Sequence, residues 1–195
     1  HFCRCRETRT QADMLEIGVN ASGLQHLILD LNATDEQARK ALNSTMRRMA
    51  AWVKTRSLRG LSDKLKIQQK ILRTRVRTFR FQGGLSDAAH YGAMKVWYGL
   101  NGVPWSKLKP RATSNGVYAA GGRHDAHAFI ANLYGRPQVL KREGGARVPL
   151  VVVKEDIHDA SVTYIEDFII VGFEFENQFM KTFERELKWR TSTPR

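Results

Sequence analysis

The sequence predicts an α+β protein built from basic N-terminal helices, a small antiparallel sheet and an acidic C-terminal helix. Three observations predict it. A helical repeat of apolar residues runs through a basic stretch from Thr34 to Phe81. Short β-rich runs broken by glycine pairs follow over residues 93–154. A second helical repeat, over residues 160–190, closes the chain among acids.

In the first stretch Ala38, Leu42, Met46, Met49 and Val53 recur every three or four residues and make one stripe along a helix. Thr34 or Asn32 can cap its start, and Asp35 and Glu36 lie at the positive end of the helix dipole. Gly60 is expected to end that helix, because glycine accepts the left-handed closing conformation. A second helix is expected from Ser62–Asp63, carrying Leu65, Ile67, Ile71 and Leu72 and ending in Arg73, Arg75, Arg77 and Arg80. Ahead of both, Leu15 to Val19 alternates as a strand does, and Leu24, Leu27, Ile28 and Leu31 are spaced as on a helix.

The middle of the chain predicts a meander. Ala93 to Leu100 and Val103 to Leu108 flank Asn101–Gly102, a strong hairpin-turn dipeptide, with Pro104 favouring an edge. Val117 to Ala120, His127 to Ala131, Gln138 to Arg142 and Pro149 to Lys154 are further strands. The glycines from Gly121 to Gly145 suggest a mobile loop or tongue. At the end, Val162, Ile165, Ile169, Phe173, Phe179, Phe183 and Leu187 fit a helical face, although the β-branched and aromatic residues around Phe168–Phe175 also suit a strand, and acids from Glu155 to Glu186 surround it. Residues 1–13 are expected to be a disordered leader before a natural start at Met14, and residues 14–195 a single domain. Cys3 and Cys5 in that leader lack the second pair a metal site needs.

Lys and Arg number 32 against 19 Asp and Glu, a net charge of +13. Such a charge implies a polyanion or an acidic partner and says nothing of fold. No apolar run reaches the roughly 18 residues that cross a bilayer, and Phe168 to Phe173 reads as core, so no membrane partner is expected.

Candidate chemistry is sparse. His124, Asp125 and His127 are of metal-binding type, yet they lack a matching carboxylate set and read as a polar turn. His26, His90 and His158 stand alone, Ser106 and Ser114 lack partner motifs, and no phosphate-cradling glycine loop is present. The expectation is a protein that is not an enzyme, with no metal and no cofactor. Residues 61–77 offer a different function: a helix, a turn near Lys66–Ile67, then a helix opening with Gln68, Gln69 and Lys70, as in a helix-turn-helix reader of bases. Arg73, Arg75, Arg77 and Arg80, with Arg47 and Arg48, are equally suited to phosphates without sequence preference, to a neighbouring protein, or to plain solvation.

Several stretches in matching order resemble the minor tail protein Z family of long-tailed phages and prophages, which are tail completion or neck proteins. They are ALNSTMRRMAAWVKTRSLRGLSDKLKIQQKILRTRVR, VWYGLNGVPWSKLKPR and AFIANLYGRPQVLKREGGARVPLVVVKEDI, followed by the C-terminal helix, and they span the chain from about Met14 to Trp189. Residues 96–111 and the RVPLVVVK tract are the more specific parts. Residues 85–92, the His124–Asp125 loop and residues 173–175 depart from the family's pattern.

The resemblance implies a structural virion protein at the head-proximal end of the tail, assembled in the host bacterial cytoplasm, with no catalytic residue to carry over. Its expected partners are copies of itself in a ring of sixfold character, the tail terminator, and the head-closure and neck proteins. A ring uses two different patches of each subunit, and a basic N-terminal half with an acidic C-terminal half would supply them. A ring around DNA would also occupy surplus positive charge on phosphates.

Overall fold

The computed structural model describes residues 13–18, 21–79, 93–133, 135–144, 149–167 and 174–192. Residues 1–12 of the expected leader with its two cysteines, His90, Arg80, Ile169 and Phe173 lie outside them, whereas Asp13, expected in that leader, opens the first strand. The architecture is α+β, with five α-helices and small antiparallel sheets among the described residues. Its described residues gather into two compact units, one within 1–57, 75–99 and 165–195, the other within 58–74 and 100–164.

The first unit joins chain ends that are far apart in sequence. Strand β1 (Asp13–Gly18) and strand β2 (Val76–Thr78) pair antiparallel with the two sides of β3 (Ala93–Tyr98), so that Leu15 and Thr78 both face Val96 across the ladder. Helix α1 (Ala21–Asp30) closes on Asn32, whose φ of 46° is left-handed. The Ala33 N–H then reaches Ile28 O at 3.0 Å and the Asn32 N–H reaches Leu29 O at 3.0 Å. Asn32 therefore ends α1, and the cap of the next helix falls to Thr34. Thr34 N–H donates to Gln37 Oε1 at 2.9 Å, and Gln37 N–H donates to Thr34 Oγ1 at 3.3 Å, a reciprocal box.

Helix α2 (Asp35–Leu65) buries the expected stripe: Ala38, Leu42, Met46, Met49 and Val53 are at most 2% exposed. Against it lies α5 (Glu174–Ser192), which buries Phe179, Phe183 and Leu187 at four-residue spacing. Three side-chain ties give their direction. Gln37 Nε2 donates to Arg190 O at 3.0 Å, Arg48 pairs with Glu186 and Arg56 with Glu174, so the two helices run antiparallel. Phe175 meets Trp52 at 6.4 Å between ring centroids and Phe179 at 6.3 Å, continuing the apolar seam.

The second unit receives α2 from Leu58 onward, and here Gly60 does not end the helix. A Cβ on Gly60 would collide with the ring of Tyr164 from helix α4 (His158–Ile165); the glycine is there for close approach. The helix ends five residues later at Leu65, and Lys66 follows at φ 52°, where Ile67 N–H bonds Ser62 O and the Ser62 hydroxyl donates to Ile67 O at 2.7 Å. The following helix, α3 (Gln69–Leu72), is a single turn that passes through a 3-10 segment, Arg73–Arg75, into β2.

The sheets of the second unit are small. Strand β4 (Val103–Pro104) pairs with β11 (Lys154–Glu155). Strands β5 (Arg111–Thr113), β6 (Gly116–Ala119) and β7 (Arg123–Asp125) form one meander. Strands β8 (Ala128–Leu133), β9 (Arg136–Arg142) and β10 (Leu150–Val152) form another.

Three expectations are corrected here. Asn101–Gly102 makes no hairpin, since β3 and β4 belong to different sheets and neither residue has positive φ. A Cβ added at Gly102 would lie only 3.2 Å from Lys154 Cβ, so the glycine there serves a close approach. The region expected as a mobile loop between Gly121 and Gly145 holds β7, β8 and β9. The C-terminal helix over 160–190 is two elements: α4 ends at Ile165 and α5 begins at Glu174. Helix α5 itself carries four acids and four bases, and the acid surplus of the C-terminal stretch lies ahead of it. Among the described residues no helix is long and apolar enough to cross a membrane.

Candidate polyanion and partner interface

The arginines singled out by the sequence have unequal circumstances. Arg47, exposed on α2, bonds the Asn43 carbonyl of its own helix at 3.3 Å. Arg48 pairs with Glu186 Oε1 at 2.9 Å, and Glu186, whose side chain is 8% exposed, also accepts from Arg190 Nη1 at 2.7 Å. Burial alone would raise the Glu186 pKa. Hydrogen bonds from Arg190 and Ser44, with the charges of Arg48 and Arg190, outweigh it and leave the carboxyl below its ordinary value.

Arg75 is half-buried. Its Nη1 donates to Gly99 O at 3.1 Å while its own carbonyl accepts from Gly99 N–H at 2.7 Å, and desolvation lowers its pKa. It fastens β2 to the end of β3. Arg77 is exposed on β2, with its guanidinium 6.0 Å from the ring centroid of its cross-strand partner Trp97. Arg73 is exposed on the 3-10 segment of the other unit. The arginines thus differ in role: Arg75 and Arg48, the latter exposed, tie elements of the first unit together, Arg47, Arg73 and Arg77 are exposed, and Arg80 lies outside the described residues.

The helix-turn-helix expectation is corrected by the same stretch. A reader needs a second helix long enough to lie in the major groove. Here that helix has four residues, and Val76 and Arg77 are already strand. His124 and Asp125 lie on strand β7 rather than in a turn; the Asp125 carboxylate accepts from the His127 N–H at 2.9 Å and lies 3.9 Å from Lys141 Nζ. Among the described residues no three His, Cys, Asp or Glu side chains gather as a metal would require.

Sequence reasoning missed Arg123. On β7 it donates to the carbonyls of Ala120 and, at 2.7 Å, Leu65, so it neutralises the C-terminal end of α2. Its Nε lies 2.9 Å from Glu155 Oε2 as an ion pair without a directed hydrogen bond, and Trp105 Nε1 donates to the same oxygen at 3.3 Å. An isolated arginine between glycines and a histidine gives no periodic signal, so only the structure exposes this role.

The distribution of charge is the larger finding. The first unit holds 18 Lys and Arg against 13 Asp and Glu, and the second holds 14 against 6 in fewer residues. The basic and acidic halves of the chain meet within the first unit through Arg48–Glu186 and Arg56–Glu174, and the surplus concentrates in the second. Compared with family models, with curated proteins and with solved structures, the chain matches none.

Proposed function

We propose that the protein is a structural virion component of a tailed phage or prophage, acting in tail completion at the head–tail junction as a homo-oligomeric ring around the DNA channel. The reading is carried by the resemblance of residues 96–111 and of the RVPLVVVK tract to the minor tail protein Z family. Those two tracts are mutual partners: β4 pairs with β11, and the Trp105 N–H donates to Val153 O at 3.0 Å. The resemblance therefore falls on stretches that make one structural piece rather than on scattered similarity.

In this reading the chain acts by docking and by charge, with no catalytic group and no cofactor. Its partners are its own copies, the tail terminator and the head-closure or neck proteins, and its place is the virion. The ring contact draws on surfaces other than Arg48–Glu186 and Arg56–Glu174, because those pairs are satisfied inside each subunit. Phosphates passing the ring would be met by the surplus bases of the second unit, without base readout.

Size-exclusion chromatography with light scattering tests the assembly: a closed oligomer is expected, and a monomer that joins no tail component overturns it. A phage lacking the protein is expected to accumulate tails that fail to join filled heads.

A further inference from the structure

We infer that the exposed face of the β5–β6–β7 sheet binds single-stranded nucleic acid, with Tyr118 and His124 as a stacking platform and Arg111 as the phosphate contact.

The sheet has two unlike faces. Along β6, Val117 and Ala119 are buried while Tyr118 between them is 45% exposed. The register places Arg111 beside Tyr118 on one side and His124 on the other, and all three are exposed. Strand alternation sends Arg123 and Asp125 to the opposite face, Asp125 opposite the buried Val117. The outward row of Arg111, Thr113, Tyr118 and His124 therefore holds no carboxylate.

The aromatic pair is already ordered. The Tyr118 and His124 rings stack with centroids 4.2 Å apart and planes at 23°, and the His124 ring is held by a 2.8 Å hydrogen bond between Nε2 and Asn115 O. A rigid π-surface on water-exposed strands costs little ordering entropy when a base lands on it. The charge around it suits a phosphate backbone: Lys107 and Lys109 are exposed just ahead of Arg111, in the unit with 14 bases against 6 acids.

A duplex keeps its bases stacked on each other and offers such a platform nothing but backbone. An unpaired strand offers both, which selects single-stranded nucleic acid over duplex. The inference stands on this sheet alone and does not require the ring or the phage setting.

The test is fluorescence anisotropy of the full-length protein with a labelled oligothymidine and with a duplex of equal phosphate number, at several salt concentrations. The single strand is expected to bind at least ten-fold tighter than the duplex. Tyr118→Ala is expected to weaken it by roughly ten-fold or more, and Tyr118→Phe to restore it. Arg111→Ser is expected to reduce the salt dependence by about one phosphate contact. Circular dichroism of each variant checks the fold, and Tyr118→Phe keeps the test decisive even if the alanine variant is unstable. Equal binding of both nucleic acids, insensitivity to Tyr118→Ala, or tighter binding of heparin than of oligothymidine would each overturn the inference. Light scattering of the same samples reports the ring separately, so either conclusion can fail without the other.

Discussion

The two units handle the same basic chain in opposite ways. The first is assembled from the two ends and the middle of the sequence, and long-range pairing lets its α2 arginines find the α5 glutamates. The second is made mostly of strands that pair with their sequence neighbours, from a stretch poor in acids, and its bases have few carboxylates to meet. Whether a charge is structural or left for a partner thus depends on which segments the fold brings together. Net charge alone does not distinguish them.

The largest effect is expected in the helical seam of the first unit. Phe183 is 1% exposed and stacks 6.2 Å from Phe179, so Phe183→Ala is expected to cost about 3–5 kcal/mol. Denaturant unfolding measures it, and a cost under about 1 kcal/mol would remove the seam as the first unit's core.

Glu186 comes next. Glu186→Gln leaves Arg190 and Arg48 without their carboxylate and is expected to cost about 1.5–3 kcal/mol near neutral pH. Its folded pKa lies below the unfolded value, so its stabilisation is full above the ordinary glutamate range and fades as pH falls through the depressed value. Stability followed from pH 7 downward is expected to decline less in Glu186→Gln than in the parent. Identical acid profiles would mean that the pair contributes nothing.

In the second unit, Gly60 gives a test by sign. Alanine in a helix interior ordinarily stabilises by about 1 kcal/mol over glycine. Gly60→Ala is expected to destabilise here, because its methyl group meets the Tyr164 ring, and to stabilise in a Tyr164→Ala background. Thermal melts of the four proteins settle it; the same sign in both backgrounds would show that Tyr164 is not the reason for the glycine. Thr34→Ala, which removes one half of the capping box, is expected to cost about 1 kcal/mol by the same melts. Smallest of all, Arg47→Ser is expected to change stability by less than about 0.5 kcal/mol, since that side chain is exposed and bonds only a carbonyl of its own helix.

Elements whose signal is local can be read from the residues alone. Periodicity located the stripe from Ala38 to Val53, composition located most of the strands, and the threonine at position 34 marked a helix start, because each follows from residues within a few turns of one another. The rest depends on contacts between distant segments. Gly60 reads as a helix end until Tyr164 is seen beside it, and Asn101–Gly102 reads as a hairpin until β3 and β4 are found in separate sheets. Arg48 and Arg75 read as candidate phosphate or partner contacts until they are found tied to Glu186 and Gly99. The row of Arg111, Tyr118 and His124 exists only once three strands are in register. Pairing across long loops is set by packing and by which groups lose water together, and no window along the chain contains that information.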